Sequence, residues 1–142
     1  MGVDTGVLAS WLADYDHDNL TIGVVASHSS LQILHGAKKE GFRTLGIAVG
    51  ENRRRFYKAF PGAEPDEWLM LENYREMLDY AEWFRERNVI IIPHGSLVEY
   101  LGATNYKSLQ VPTFGNRGIL NWESSRHKQR LWLEDGGCDM PK

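Results

Sequence analysis

An α/β domain with a doubly wound, mostly parallel sheet is the fold predicted by three features of this sequence. Residues 21–40 and 89–101 each read as an apolar strand, a polar turn and an amphipathic helix. Val89, Ile90, Ile91 and Ile92 set four β-branched apolar residues in a row, as in a strand covered on both faces. Strand and helix patterns also alternate along the chain, which makes the expected architecture Rossmann-like.

Taken in order, Val7, Leu8, Trp11, Leu12 and Tyr15 recur at helical spacing and predict a short outer helix. Ile22, Val24 and Val25 form the first strand, and the turn Ala26-Ser27-His28-Ser29-Ser30 ends it. Ser29 with Gln32 fits a capping box, so the next helix is expected to start at Ser29 and to stop at Gly41. Residues 44–49 give a second strand, and Gly50-Glu51-Asn52 a turn. Residues 53–60 give a helical turn or two, Pro61 to Pro65 a break, and residues 68–71 a short strand. Asn73 caps a helix expected to run through about Arg87. After the strand at 89–93, Ser96 and Glu99 form a second capping box. Residues 110–114 read as another strand, placed at an edge or terminus by Pro112, and residues 115–118 as a third polar turn. A basic helix with a narrow apolar stripe follows over residues 124–135 and ends at Gly136-Gly137, leaving residues 138–142 as a linker or strand start.

The chemistry points to the first two turns. In a parallel sheet both lie at the carboxyl edge, where ligands bind when the two strands flank a topological switch point. His28 stands between serines rather than on an apolar face, and a phosphate there would meet helix amides and an imidazole donor. The two Ser/His turns, Ala26-Ser27-His28-Ser29-Ser30 and His94-Gly95-Ser96, are then expected to face one crevice. Serine in such turns also caps helices, and the two roles are compatible. Arg117, in the third turn, could fork two hydrogen bonds to an anion, and one of Arg53, Arg54 and Arg55 could bind phosphate or simply be solvated. Glu51 reads as a ribose contact or a solvated loop carboxylate. Trp68, Trp83, Trp122 and Trp132 suit packing better than base stacking, and the helix at 122–133 is the surface expected to meet a neighbouring domain or a second copy.

Length and charge exclude several classes. At 142 residues the chain holds one ordinary core, and a net charge of −3 leaves no general nucleic-acid footprint. No apolar run reaches the ~18 residues of a membrane span. The first ten residues lack a secretory signal, and Gly6 breaks the myristoylation pattern begun by Met1-Gly2. A single cysteine, Cys138, fits a reducing cytoplasm. No metal-ligand spacing and no Gly-x-x-x-x-Gly-Lys-Ser/Thr phosphate loop is present.

The segments SHSSLQILHGAKKEGFRTLGI, NVIIIPHGSLVEYLG, VPTFGNRGILNWESSRHKQRLWL and GGCDMPK resemble the amino-terminal part of the archaeal ATP-grasp ligase family, 5-formaminoimidazole-4-carboxamide ribonucleotide synthetase. The resemblance covers residues from about 20 onward. It implies a pre-ATP-grasp domain and a purine-synthesis activity in which formate is joined to the amine of aminoimidazole carboxamide ribonucleotide at the expense of ATP, through formyl phosphate. It implies substrate contacts at His28 and Ser96, with Ser27, Ser29, Ser30 and Gly95 beside them as pocket walls, and an ATP contact at Lys128. It also implies ATP and Mg2+ as cofactors of a longer protein whose ATP-grasp domain is absent here. The expected division is residues 1–122 as the substrate-binding domain and 123–142 as the basic helix and linker toward that domain. The rival expectation is a stand-alone nucleotide-binding or partner-binding domain without catalysis.

Overall fold

The computed structural model describes residues 5–140. The readings made on Met1-Gly2 and the rest of the first four residues, and on Pro141 and Lys142, lie outside the described residues. The elements are α1 (Thr5–Ala13), β1 (Thr21–Val25), α2 (Ser30–Lys39), β2 (Arg43–Val49), α3 (Glu51–Tyr57), β3 (Glu67–Leu71), α4 (Ala81–Glu86), β4 (Val89–Ile91), α5 (Gly95–Leu101), α6 (Ala103–Ser108), α7 (Leu120–Glu123) and α8 (Arg126–Asp135). Tight 3-10 turns occupy His17–Asn19, Tyr74–Leu78 and Arg117–Ile119.

Among the described residues four strands form one sheet in the order β3-β2-β1-β4, and every pairing is parallel. Thr21 of β1 lies opposite Arg43 of β2 on one side and opposite Val89 of β4 on the other. The chain winds outward from β1 to β3, then crosses back to β1's other flank, so the switch point falls between β1 and β4. Both faces are covered, as the period-2 alternation of a strand requires. Val24 and Ala48 face α2 and α3 with Leu34 and Tyr57. Val25, Ile47 and Leu71 face the opposite way, into a larger core with Met77, Phe84, Leu97, Leu101 and Tyr106. Each large aliphatic side chain buried there contributes about 1.5–3 kcal/mol relative to exposure.

α2 ends as the glycine at position 41 predicts. Gly41 has φ +83°, its N–H donates to the Lys38 carbonyl at 3.1 Å, and Phe42 N–H donates to the Ala37 carbonyl at 3.0 Å. That is the paired closure of a Schellman stop. α1 is tied down through Tyr15, whose buried hydroxyl donates to the Val89 carbonyl at 2.9 Å.

Several expectations are corrected. The helix expected over 73–87 is broken into the 3-10 turn Tyr74–Leu78 and α4. Asn73 does cap it, with Glu76 completing the capping box. Three residues per turn then eclipse Tyr74, Met77 and Tyr80 on one side, and all three pack into the larger core. The strand expected over 110–114 is reduced to a single parallel bridge between Ile91 and Thr113. Pro112 offers no N–H, and the Leu109 and Val111 carbonyls are taken by Arg117 instead of a ladder. α6 was not foreseen, and the turn expected at Gly50-Glu51-Asn52 is already the start of α3.

Candidate functional site

Neither expected capping box forms. Ser29 already has helical dihedrals, φ −73° and ψ −26°, so its side chain does not reach back and α2 starts at Ser30. At the second turn His94 takes the N-cap place with extended backbone, φ −150° and ψ 172°, and α5 starts one residue before Ser96. The serines are released from capping and mostly turned inward.

Ser30 is fully buried, and its hydroxyl accepts from Ser27 N–H and donates to the Ser27 carbonyl, both at 2.8 Å. The Tyr57 hydroxyl joins them: it lies against Ser30 Oγ, accepts from Ser27 N–H at 3.0 Å and donates to the Ser27 carbonyl at 2.6 Å. The first turn is thus clamped from below by α3. Ser27 is 1% exposed, and its own hydroxyl has no hydrogen-bond partner among the described residues.

His28 and Ser29 remain exposed at the top of the turn. His28 faces a hollow of about 640 Å³ whose other walls are Val49, Gly50, Glu51, Asn52, Arg53, Arg55 and Phe56. Gly50, at φ +79°, makes the sharp corner that turns the chain from β2 into this wall. Glu51 faces Arg53 and Arg55, and the His28 imidazole adds a polar group, so the hollow suits an anion.

A second hollow, of about 810 Å³, opens beside it between the turn after β4 and the segment 114–129. Pro93, His94, Gly95, Val98 and Glu99 line one side, and Phe114, Asn116, Ile119 and Leu120 the other. The two turns are neighbours, as expected of adjacent parallel strands. His94 Nε2 lies 2.9 Å from the Val25 carbonyl at the end of β1. The single crevice expected between them is nevertheless two hollows. His28 lines the first and Gly95 the second, while Ser96, 8% exposed, lines neither, nor do Ser27, Ser29 and Ser30.

Two further expected residues are placed elsewhere. Arg117 is buried, with its guanidinium donating to the Leu109 and Val111 carbonyls and to Thr113 Oγ1, the last at 3.0 Å. Its forked edge closes its own loop instead of presenting itself to an anion. Lys128 is exposed on α8 and lines neither hollow, although Gln129 next to it lines the second. Neither Tyr57 nor His94 carries a sequence signal as strong as that of His28. The sequence leaves Arg53 undistinguished from its two neighbours.

Burial pushes the His94 pKa below its ordinary 6.5, and the charge of His28 adds to that, against the Val25 hydrogen bond. The neutral ring, with Nε2–H donating to Val25, is therefore the form the fold prefers. Stability contributed by His94 is complete above pH ~6.5 and is lost as pH falls through its lower folded value. The melting temperature of the chain should drop less between pH 7 and pH 5 in His94→Gln than in the parent. Equal drops in the two proteins would exclude this role.

Residues 22–142 match the family described as a protein of unknown function, DUF1246. The chain belongs to the DUF1246 family. It is 56% identical over 131 residues to 5-formaminoimidazole-4-carboxamide-1-(beta)-D-ribofuranosyl 5'-monophosphate synthetase 1 of Methanosarcina mazei, an alignment covering 92% of this chain and 36% of that protein. It is 43% identical over 144 residues to the Archaeoglobus fulgidus synthetase, covering 100% of this chain and 39% of the relative. This DUF1246 chain thus spans well under half the length of these curated relatives. In fold it resembles the crystal structure of the phosphoribosylaminoimidazole carboxylase ATPase subunit from Aquifex aeolicus. The TM-score is 0.52 at 16% identity, over 87% of this chain and 35% of that one.

The described residues of this DUF1246 chain contain no group of three or more His, Cys, Asp or Glu able to hold a metal ion. No helix among the described residues is long and apolar enough to cross a membrane.

Proposed function

We propose that this chain is the amino-terminal, substrate-holding part of an ATP- and formate-dependent ligase that converts aminoimidazole carboxamide ribonucleotide to its formamido product. The observation that supports this most directly is the basic hollow at the carboxyl ends of β1 and β2, lined by His28, in a chain whose curated relatives are named as synthetases. The 5'-phosphate would lie against His28, and the second hollow beside Gly95 and buried Ser96 would take the uncharged imidazole carboxamide. In this reading residues 1–122 form the substrate domain, and α8 with the residues after it leads to a carboxyl-terminal ATP-grasp part. ATP, Mg2+ and formate act there. When bound, ATP supplies the phosphoryl group that activates formate; this chain's residues hold the amine-bearing partner and keep water from it. The exposed face of Trp122, Leu131, Trp132 and Leu133 would pack against that part, or against a second copy of the chain.

Adding the ribonucleotide at millimolar concentration to the isotope-labelled chain should shift the His28 and Ser96 signals. Absence of any shift at that concentration overturns the substrate assignment. Mixing the chain with the separately produced carboxyl-terminal part of the Methanosarcina mazei relative should yield formylated product only when ATP and formate are both present. Binding without product in that mixture would favour a stand-alone binding domain.

A further inference from the structure

The cations near the first hollow are not equivalent. Arg54 on α3 lies 3.9 Å from Glu51 and points to exposed surface. Arg53, one residue earlier, lines the hollow with His28 and Arg55; unlike the exposed Arg55 it is half-buried, and it has no carboxylate within 4.0 Å among the described residues. Its single protein acceptor there is the Tyr100 hydroxyl, which takes a hydrogen bond from Nη2 at 3.0 Å. The guanidinium carbon sits 5.7 Å from the centre of the Tyr100 ring. Tyr100 is itself fixed by stacking on Tyr74, with ring centres 4.9 Å apart and planes 15° from parallel.

A partly desolvated cation normally has a counter-charge. Arg53 instead has an oriented hydroxyl on one side and an open hollow on the other, and its remaining N–H groups have no protein acceptor among the described residues. Arginine in that state presents a planar fork matched to phosphate oxygens. Tyr100 lies on α5, the helix that carries Ser96, while Tyr57, four residues after Arg53, clamps the turn that carries His28. One short helix therefore touches the first turn and the helix that follows the second.

We infer that Arg53 is the principal charged ligand of the phosphate group bound beneath His28, and that Tyr100 is the positioning residue that aims it. This deepens the substrate reading above and rests on it for the identity of the ligand, though not for its charge.

The test measures dissociation constants of three probes, namely inorganic phosphate, aminoimidazole carboxamide ribonucleotide and the corresponding riboside without phosphate. The proteins are the parent 142-residue chain, Arg53→Gln, Arg53→Lys, Tyr100→Phe and the control Arg54→Gln, with thermal midpoints recorded for each. Arg53→Gln should weaken the ribonucleotide by about tenfold to a hundredfold, the worth of a charge-assisted hydrogen bond, and leave the riboside unchanged. Arg53→Lys should recover part of that loss, Tyr100→Phe should weaken the ribonucleotide selectively by a smaller factor, and Arg54→Gln should behave as the parent. A merely structural role would weaken riboside and ribonucleotide together, and that result overturns the inference. So does a ribonucleotide affinity indifferent to Arg53, which leaves the substrate reading standing. If phosphate binds through Arg53 but the ribonucleotide binds no better than phosphate, the inference holds and the substrate reading falls. Should Arg53→Gln fail to fold, Arg53→Lys and Tyr100→Phe decide by the same comparison. A parent chain that binds none of the probes overturns both.

Discussion

Tyr57→Ala should destabilise the chain by about 3–5 kcal/mol, the range for emptying a fully buried aromatic site. Tyr57 has no exposed surface, and its ring packs edge-on to Trp68 with centres 5.2 Å apart, in the core shared by α2 and α3. Tyr57→Phe separates packing from polarity. It keeps the ring and removes only the hydroxyl that Ser27 N–H and the Ser27 carbonyl both use. Burial pushes the pKa of that hydroxyl upward, so it remains the donor to Ser27. Ser30 still bonds both Ser27 groups in the variant, so the expected cost is about 1–2 kcal/mol, toward the low end for leaving a buried group unpaired. Urea denaturation of the three proteins gives both numbers. A Tyr57→Phe midpoint equal to the parent's would mean that the hydroxyl does not hold the first turn.

Arg117→Met should cost roughly 2–4 kcal/mol, because it strands two buried carbonyls and a threonine hydroxyl at once. Burial lowers the Arg117 pKa from its usual value, and the Tyr106 ring lies 5.6 Å from its guanidinium carbon. The segment it closes forms one wall of the second hollow and holds the single bridge to β4. Arg117→Lys should recover little, since one ammonium on a flexible stem does not span acceptors on Leu109, Val111 and Thr113. Thermal denaturation distinguishes the cases, and a Lys variant as stable as the parent would refute the clamp.

The sheet was legible where the side chains speak for themselves. Ile22, Val24 and Val25, the run from Val89 to Ile92, and the glycine at position 41 all announce their roles within a few residues. The 3-10 turn at Tyr74–Leu78 was hidden because Met77 and Phe84 also suit one face of a continuous helix. At the site, His28 was legible from its polar turn. The serines misled because hydroxyls at a strand end look alike whether they face a ligand or a buried tyrosine. Tyr57 is 30 residues from Ser27 and Tyr100 is 47 from Arg53, so no local pattern could pair them. Arg117 failed for the converse reason: its partners are close in sequence, but they are backbone carbonyls, which every residue supplies.

Thr21 meets Arg43 early in the chain and Val89 only much later. Long-range parallel pairings close slowly, since the intervening loop must be ordered before any ladder rewards it. A nascent polypeptide ending before β4 could zip β1 to β2 and β2 to β3 yet would possess the first polar turn without the second. A ligand spanning both hollows, as proposed above, would consequently recognise only molecules whose central seam has shut, acting as a ratchet on the final stage of assembly.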